Sequence, residues 1–85
     1  MADLTIEIIT PAEIIFKGEA NSVMLPGSKA PFQVLKNHVP IVSSLDSGKI
    51  KVSSTNGEKL FQNSEGFAEI SNNKVSILVE SAEEL

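Results

Sequence analysis

The sequence predicts an all-β fold, a small antiparallel β-sandwich or flattened barrel of about eight to ten short strands. Apolar and polar residues alternate along most of the chain, which is the period of a strand with one buried face. Asn, Gly and Pro interrupt this alternation roughly every ten residues, and they favour turns. The length of 85 residues suits one small core, so we expect a single β-sandwich domain over residues 1–85.

The alternation also locates the individual elements. Strands are predicted at residues 4–9, 14–17, 22–25, 49–53, 59–62, 67–70 and 75–79. Turns are predicted at Gly18, Pro26-Gly27, Asn56-Gly57 and Asn72-Asn73. Ile9 and Leu78 are apolar residues on the otherwise polar faces of their strands. Such strands are either covered on both sides by the fold itself or covered on the outer face by a partner.

The segment Leu25–Gly48 carries three of the four prolines and the only histidine. Proline fixes its own φ, removes a backbone donor and pushes the preceding residue toward extended geometry. The segment is therefore predicted to be a rigid, irregular surface region that cannot be helical. Its short apolar runs are Phe32–Leu35 and Val39–Leu45. A shape fixed in this way indicates a binding surface for a partner.

The C-terminal residues Ser81–Leu85 predict the start of a helix. Ser81 and Glu84 have the spacing of a capping box, in which the serine caps the helix and the glutamate reaches back to it. The chain then ends at Leu85, too soon for a stable helix.

Composition argues against several classes of function. The net charge is −4, all seven basic residues are lysines, and Trp and Tyr are absent, so we expect no nucleic-acid partner. Without cysteine there is no thiolate metal site and no disulfide, which fits a reducing compartment. No signal peptide and no bilayer-spanning segment are expected, nor direct insertion into lipid.

We expect no catalytic residue, no metal site and no cofactor. His38 lies close in sequence to Ser43, Ser44 and Asp46, but the GxSxG motif is missing and there is no second histidine. The C-terminal carboxylates lack the spacing of a calcium-binding loop, and no phosphate-binding glycine motif follows a strand. One alternative stays open, a lipoyl- or biotinyl-carrier domain with Lys36 or Lys74 as the modified residue, although neither lysine has the neighbours typical of those families.

A resemblance to a known family covers essentially the whole chain. The residues that carry it are Pro26-Gly27, Phe32–Leu35, Asn37-His38-Val39-Pro40, Ile41–Leu45, Gly48, Gly66–Ile70 and Asn73–Leu78. In this order they resemble the N-terminal β-sandwich domain of the epsilon subunit of F-type ATP synthases. The family's second domain, a C-terminal helical hairpin, is missing, so the resemblance implies that residues 81–85 are the stub of an absent helical domain.

The resemblance implies a mechanical function. It suggests a non-catalytic central-stalk subunit that links the gamma (γ) subunit to the membrane c-ring and supports coupling of proton translocation to ATP synthesis. The expected location is peripheral, on the cytoplasmic side of the bacterial inner membrane. The implied γ-subunit interface is Thr10, His38, Val39, Pro40, Ile41, Val42 and Ser43. The implied c-ring interface is the loop Gly27, Ser28, Lys29, Ala30 and Pro31.

Overall fold

Residues 3–85, the part of the chain that the computed structural model describes, form ten β-strands. They are β1 Leu4–Ile9, β2 Ile14–Ala20, β3 Ser22–Leu25, β4 Phe32–Val34, β5 Ile41–Leu45, β6 Gly48–Ser54, β7 Gly57–Asn63, β8 Gly66–Ser71, β9 Lys74–Val79 and β10 Ala82–Glu84. Within residues 3–85 no helix has the length and apolar character needed to cross a membrane.

The strands form two five-stranded sheets, which confirms the predicted sandwich. Sheet A has the order β2-β1-β9-β8-β5, and sheet B has the order β10-β7-β6-β3-β4. The pairs are antiparallel with one exception, because β1 runs parallel to β9. The alternation of side chains is the same in both directions, so the sequence pattern could not reveal this parallel pair.

The core lies between the sheets and is built from the inward-facing residue of each alternating pair. Its largest fully buried side chains are Phe61, Ile6, Ile8, Leu25, Leu45, Ile50, Ile70, Ile77, Val23, Val34 and Val75. The ring of Phe61 packs against that of Phe16, with 5.3 Å between the centroids. Every strand from β1 to β9 supplies residues to this core or packs against it, so the two sheets form one unit.

Two of the predicted hairpin turns are confirmed. Asn72 and Asn73 join β8 to β9 with φ values of 54° and 62°, the left-handed conformation that asparagine tolerates. The turn between β6 and β7 is followed by Gly57 at a φ of 124°. Glycine adopts such an angle without steric strain.

The proline-rich segment is more regular than predicted. It contains two strands, β4 and β5, and each begins directly after a proline, Pro31 and Pro40 respectively. The third proline, Pro26, directly follows β3, and the Gly27 N–H donates to the Leu25 carbonyl across it, at 3.0 Å. Proline is accepted at strand boundaries because no ladder hydrogen bond is lost there.

Two other sequence predictions are wrong. Gly18 does not turn the chain but lies within β2 opposite Ile6, where a side chain would meet the ring of Phe16 at 3.0 Å. Ser81–Leu85 does not begin a helix, because Ala82–Glu84 pair with β7 and extend sheet B. The hydroxyl oxygen of Ser64 accepts the N–H groups of Glu80 and Ser81, both at 3.0 Å, and so directs the chain onto that edge.

Candidate interaction surface

Four apolar side chains form a row across the outer face of sheet A. Ile9 of β1 is paired with Ile14 of β2 and with Leu78 of β9, and Leu78 is paired with Phe67 of β8. Ile14, Phe67 and Leu78 are 55%, 57% and 46% exposed. We call these four residues the apolar ridge. Cross-strand neighbours of this kind form a continuous surface, unlike scattered single apolar residues.

The outward-facing residues two positions along the strands from the ridge are mainly polar. They form the next cross-strand row and limit the ridge to one end of the sheet. Glu7 lies in that row, with Lys17 opposite it on β2 at 3.7 Å and Lys74 of β9 at 3.3 Å. The Glu7 side chain is only 14% exposed. The row ends in Val42 of β5, which is 69% exposed and lies opposite Glu69. Val42 therefore extends the apolar surface diagonally from Phe67.

The outer face of sheet B has a different character. Lysines of β6 alternate there with inward apolar residues, and Lys51 forms an ion pair with Glu58 at 3.4 Å. Met24 and Leu60 lie opposite Lys51 on either side and are 39% exposed each. Leu85, which follows β10, is 60% exposed and donates its N–H to the Leu60 carbonyl at 2.9 Å. The outer face of sheet A therefore has a continuous apolar row, whereas on sheet B Lys51 separates Leu60 from Met24.

The residues expected at the γ interface do not form one cluster. In β5, Val42 points outward, whereas Ile41 packs against the core and Ser43 shares its inward face. Thr10 is buried, its hydroxyl donating to the Glu13 carbonyl at 3.0 Å. Thr10 directly follows Ile9 and so lies at the end of sheet A that carries the apolar ridge.

The other three expected γ-interface residues, His38, Val39 and Pro40, precede β5 at the opposite end of sheet A from Thr10. Val39 and Pro40 are exposed. His38 Nδ1 lies 2.8 Å from the Val39 carbonyl oxygen, and its ring centroid is 6.5 Å from that of Phe32. The His38 ring is half-buried and is held by its own neighbouring backbone and by the ring of Phe32 in β4.

The loop expected to face the c-ring is anchored to the edge of sheet A. Gly27 forms an isolated bridge with Leu45 of β5, and a side chain at Gly27 would meet the Ala30 carbonyl at 2.6 Å. The Ser28 N–H donates to the Ser44 carbonyl at 3.0 Å. The remaining residues, Ser28 to Pro31, are exposed. Gly27 to Ala30 line one groove together with Ile41 to Ser43, so the loop lies beside the β5 part of the expected γ interface.

Sequence reasoning missed two ridge residues, Ile14 and Phe67, and did not connect Ile9 with Leu78. The register shifts between Ile8 and Ile9, so that Ile15 is an extra residue on β2 and Ile14 turns to the outer face. The apolar residues at Ile9 and Leu78 were the available signal. Joining them required the parallel pairing of β1 with β9.

The two lysines considered for a carrier domain lie in different surroundings. Lys74 forms an ion pair with Glu7, and Lys36 lies in the exposed loop after β4. Residues 3–85 contain no group of three side chains placed to hold a metal ion. The side-chain carboxylate of Glu84 pairs with Lys59 at 3.2 Å.

Comparison with known proteins gives the class of this β-sandwich. Residues 3–85 match the family described as the β-sandwich domain of the ATP synthase delta/epsilon chain. The chain therefore belongs to this family, the delta/epsilon chains of ATP synthase. The ATP synthase epsilon chain of Chlorobaculum tepidum is 47% identical over 77 residues, covering 89% of this chain and 88% of that protein. The epsilon chain of Campylobacter lari is 42% identical over 84 residues, or 96% of this chain and 65% of that one.

Solved structures share the fold. A chain of the Euglena gracilis mitochondrial ATP synthase, in a structure of its OSCP, F1 and c-ring, superposes with a TM-score of 0.90 at 21% identity. The match covers 99% of this chain and 54% of that one. A chain of the Tetrahymena thermophila central stalk and c-ring superposes with a TM-score of 0.78 at 15% identity, covering 94% and 65%.

Proposed function

We propose that this chain joins the γ subunit to the c-ring of a bacterial ATP synthase, on the cytoplasmic side of the inner membrane. It supports the coupling of proton translocation to ATP synthesis without performing chemistry itself. The observation that carries the proposal is the continuous apolar ridge across four strands on the outer face of sheet A. The bacterial epsilon chains among its relatives support the assignment.

In this proposal the γ subunit covers the apolar ridge and its extension at Val42. The ridge spans four adjacent strands, β2, β1, β9 and β8, so a partner seated on it contacts sheet A as a whole. Burial of these side chains supplies the hydrophobic contribution to binding. The inward-facing residues Thr10, Ile41 and Ser43 do not contact γ but hold the strands of sheet A in place. Val39 and Pro40, which are exposed directly before β5, extend the contact toward the other end of the sheet.

The c-ring contacts the loop Gly27–Pro31. Pro31 and the compact turn at Gly27 restrict the loop, so little conformational entropy is lost when a partner binds it. Lys29 is the only charged residue in the loop. A ring that rotates with this subunit requires a contact that keeps its shape, and the bridge from Gly27 to Leu45 provides an anchor in the sheet.

The experiment that tests the γ contact measures affinity. Phe67→Asp and Leu78→Asp place a charge in the ridge, and we expect each to weaken binding to the purified γ subunit roughly tenfold or more, as for central interface residues. Leu60→Asp is the matched control, because Leu60 is an exposed leucine on the opposite sheet. Circular dichroism verifies that all three variants fold. Unchanged γ affinity in both ridge variants would overturn the assignment.

A further inference from the structure

Three exposed carboxylates, Glu65, Glu69 and Glu80, lie two residues along the chain from a residue of the apolar ridge. Glu65 and Glu69 lie two residues before and after Phe67, and Glu80 lies two residues after Leu78. Glu69 shares the outer face of β8 with Phe67, because side chains two positions apart along a strand lie on the same face. Glu65 and Glu80 lie directly beyond the ends of β8 and β9 that are nearest to the ridge. Glu65 lines a surface groove with Phe67, and Glu69 lines another with Val42. The ridge and its extension therefore adjoin negative charge on several sides.

These three carboxylates have no ion-pair partner within residues 3–85. The ion pairs of this part of the chain involve Glu7, Glu58 and Glu84. Lys17 of β2 and Lys74 of β9 are the lysines within the strands of sheet A, and both pair with Glu7. Lys29 is the cation of the adjoining loop, where it lines a groove with Val42. Glu65, Glu69 and Glu80 are all exposed and hydrated in the isolated chain.

A partner that covers the ridge also changes the surroundings of these carboxylates. Removing a carboxylate from water is costly unless an opposite charge or a hydrogen-bond donor replaces the water. A second copy of this chain would bring the same acidic border against itself, and an anionic membrane surface would repel it. A basic protein surface satisfies both the apolar and the charged requirements.

We infer that the surface covering the ridge has apolar side chains at its centre and Lys or Arg side chains at its edge. This inference rests on the proposed function, in which that surface belongs to the γ subunit. Complementary charges mainly accelerate association and orient the partner, and salt screens them. Assembly with γ is therefore expected to be fast at low salt and slower at high salt.

The test compares association rates of this chain with the γ subunit at about 20 mM and about 500 mM salt, where screening lengths differ several-fold. The first variant combines Glu65→Gln, Glu69→Gln and Glu80→Gln. The control variant combines Glu58→Gln, Glu83→Gln and Glu84→Gln, which change the net charge equally but lie on sheet B. Thermal unfolding verifies that both variants fold.

For the unmodified chain we expect the association rate constant to fall about tenfold between the two salt concentrations. The sheet A variant should associate slowly at both, whereas the sheet B control should follow the unmodified chain. Equal salt dependence in all three proteins would overturn the inference, as would an equal loss in both variants. If Phe67→Asp weakens binding while salt has no effect, the γ contact stands and only the charge inference fails. Absence of γ binding by the unmodified chain at either salt concentration would instead overturn the proposed function.

Discussion

The backbone N–H of Ser28 donates a hydrogen bond to the carbonyl oxygen of Ser44 across 3.0 Å. Ser28 belongs to the proposed c-ring loop, and Ser44 lies opposite Phe67 of the apolar ridge. The Asp46 N–H donates to the Pro26 carbonyl at 2.8 Å and strengthens the same connection. These hydrogen bonds therefore connect the loop, through the edge strand β5, to the strands that carry the ridge.

Replacing Ser28 with proline tests this connection. Ser28→Pro removes the N–H donor, which we expect to lower the free energy of unfolding by about 1 kcal/mol. Binding to γ should persist because the ridge is intact, whereas ATP-driven proton pumping by the reconstituted enzyme should decrease. Ser28→Ala is the control, since it keeps the N–H and removes only the hydroxyl. Equal pumping by the two variants would show that the hydrogen bond does not contribute to coupling.

Gly66 at the start of β8 is expected to be the least replaceable glycine. A Cβ at this position would collide with the carbonyl oxygen of Leu78 and lie 2.8 Å from Val79 Cγ1. The backbone of β9 would have to move, so Gly66→Ala should reduce the free energy of unfolding by about 2–4 kcal/mol. Urea unfolding measures this loss. The exposed neighbour provides the control, as Glu65→Ala should change stability by less than about 0.5 kcal/mol. An unfolding midpoint of Gly66→Ala equal to that of the control would contradict the close approach of β8 and β9.

Local signals in the sequence were sufficient to predict the sandwich and much of its hairpin structure. Alternation identified the inward residues of β1 and β9, and Asn72-Asn73 identified a turn because asparagine adopts positive φ readily. The prediction of a turn at Gly18 was wrong. Glycine is found both in turns and in strands where another group packs closely over the backbone, and the sequence does not reveal that Phe16 packs over Gly18.

Features that depend on pairing between distant segments could not be predicted. The extra residue Ile15 and the parallel pairing of β1 with β9 together create the apolar ridge, and both are properties of the register. The capping-box pattern at Ser81 was outweighed by the free edge of β7, because pairing with a formed sheet satisfies more backbone groups than a single helical turn. The sequence therefore indicated an apolar outer face at Ile9 and Leu78 but not its extent.

Asn73 is expected to stabilise the turn in two ways, through a side-chain hydrogen bond and through its tolerance of a positive φ. Its φ is 62°, and its side-chain Oδ1 accepts the N–H of Asn37 at 2.6 Å. Asn73→Ala loses the hydrogen bond and strains the turn, and should lower the free energy of unfolding by about 1–2 kcal/mol. Asn73→Gly loses the hydrogen bond but accepts the φ angle, so it should be the more stable of the two. Equal unfolding midpoints in thermal or urea denaturation would contradict the strain argument.

The ion pairs of Glu7 should contribute only modestly. Glu7 interacts with Lys17 and Lys74, whose side chains are 65% and 55% exposed and therefore well hydrated. Glu7→Gln should lower the free energy of unfolding by no more than about 1 kcal/mol, with a smaller effect at high salt. Glu19→Gln is the control, because Glu19 lies on the neighbouring strand opposite Thr5 and takes part in no ion pair with residues 3–85. A larger loss that is insensitive to salt would mean that Glu7 acts through packing.

Thiol labelling in the intact enzyme tests most directly whether γ covers the apolar ridge. The chain has no cysteine, so Leu78→Cys and Leu60→Cys each introduce a single thiol, one on each outer face. The parent leucines are 46% and 39% exposed, and both thiols should react with a maleimide at similar rates in the isolated chain. In the assembled ATP synthase we expect Leu78→Cys to be protected and Leu60→Cys to remain reactive, as quantified by the mass of this chain. Equally rapid labelling of both cysteines in the assembled enzyme would contradict the account.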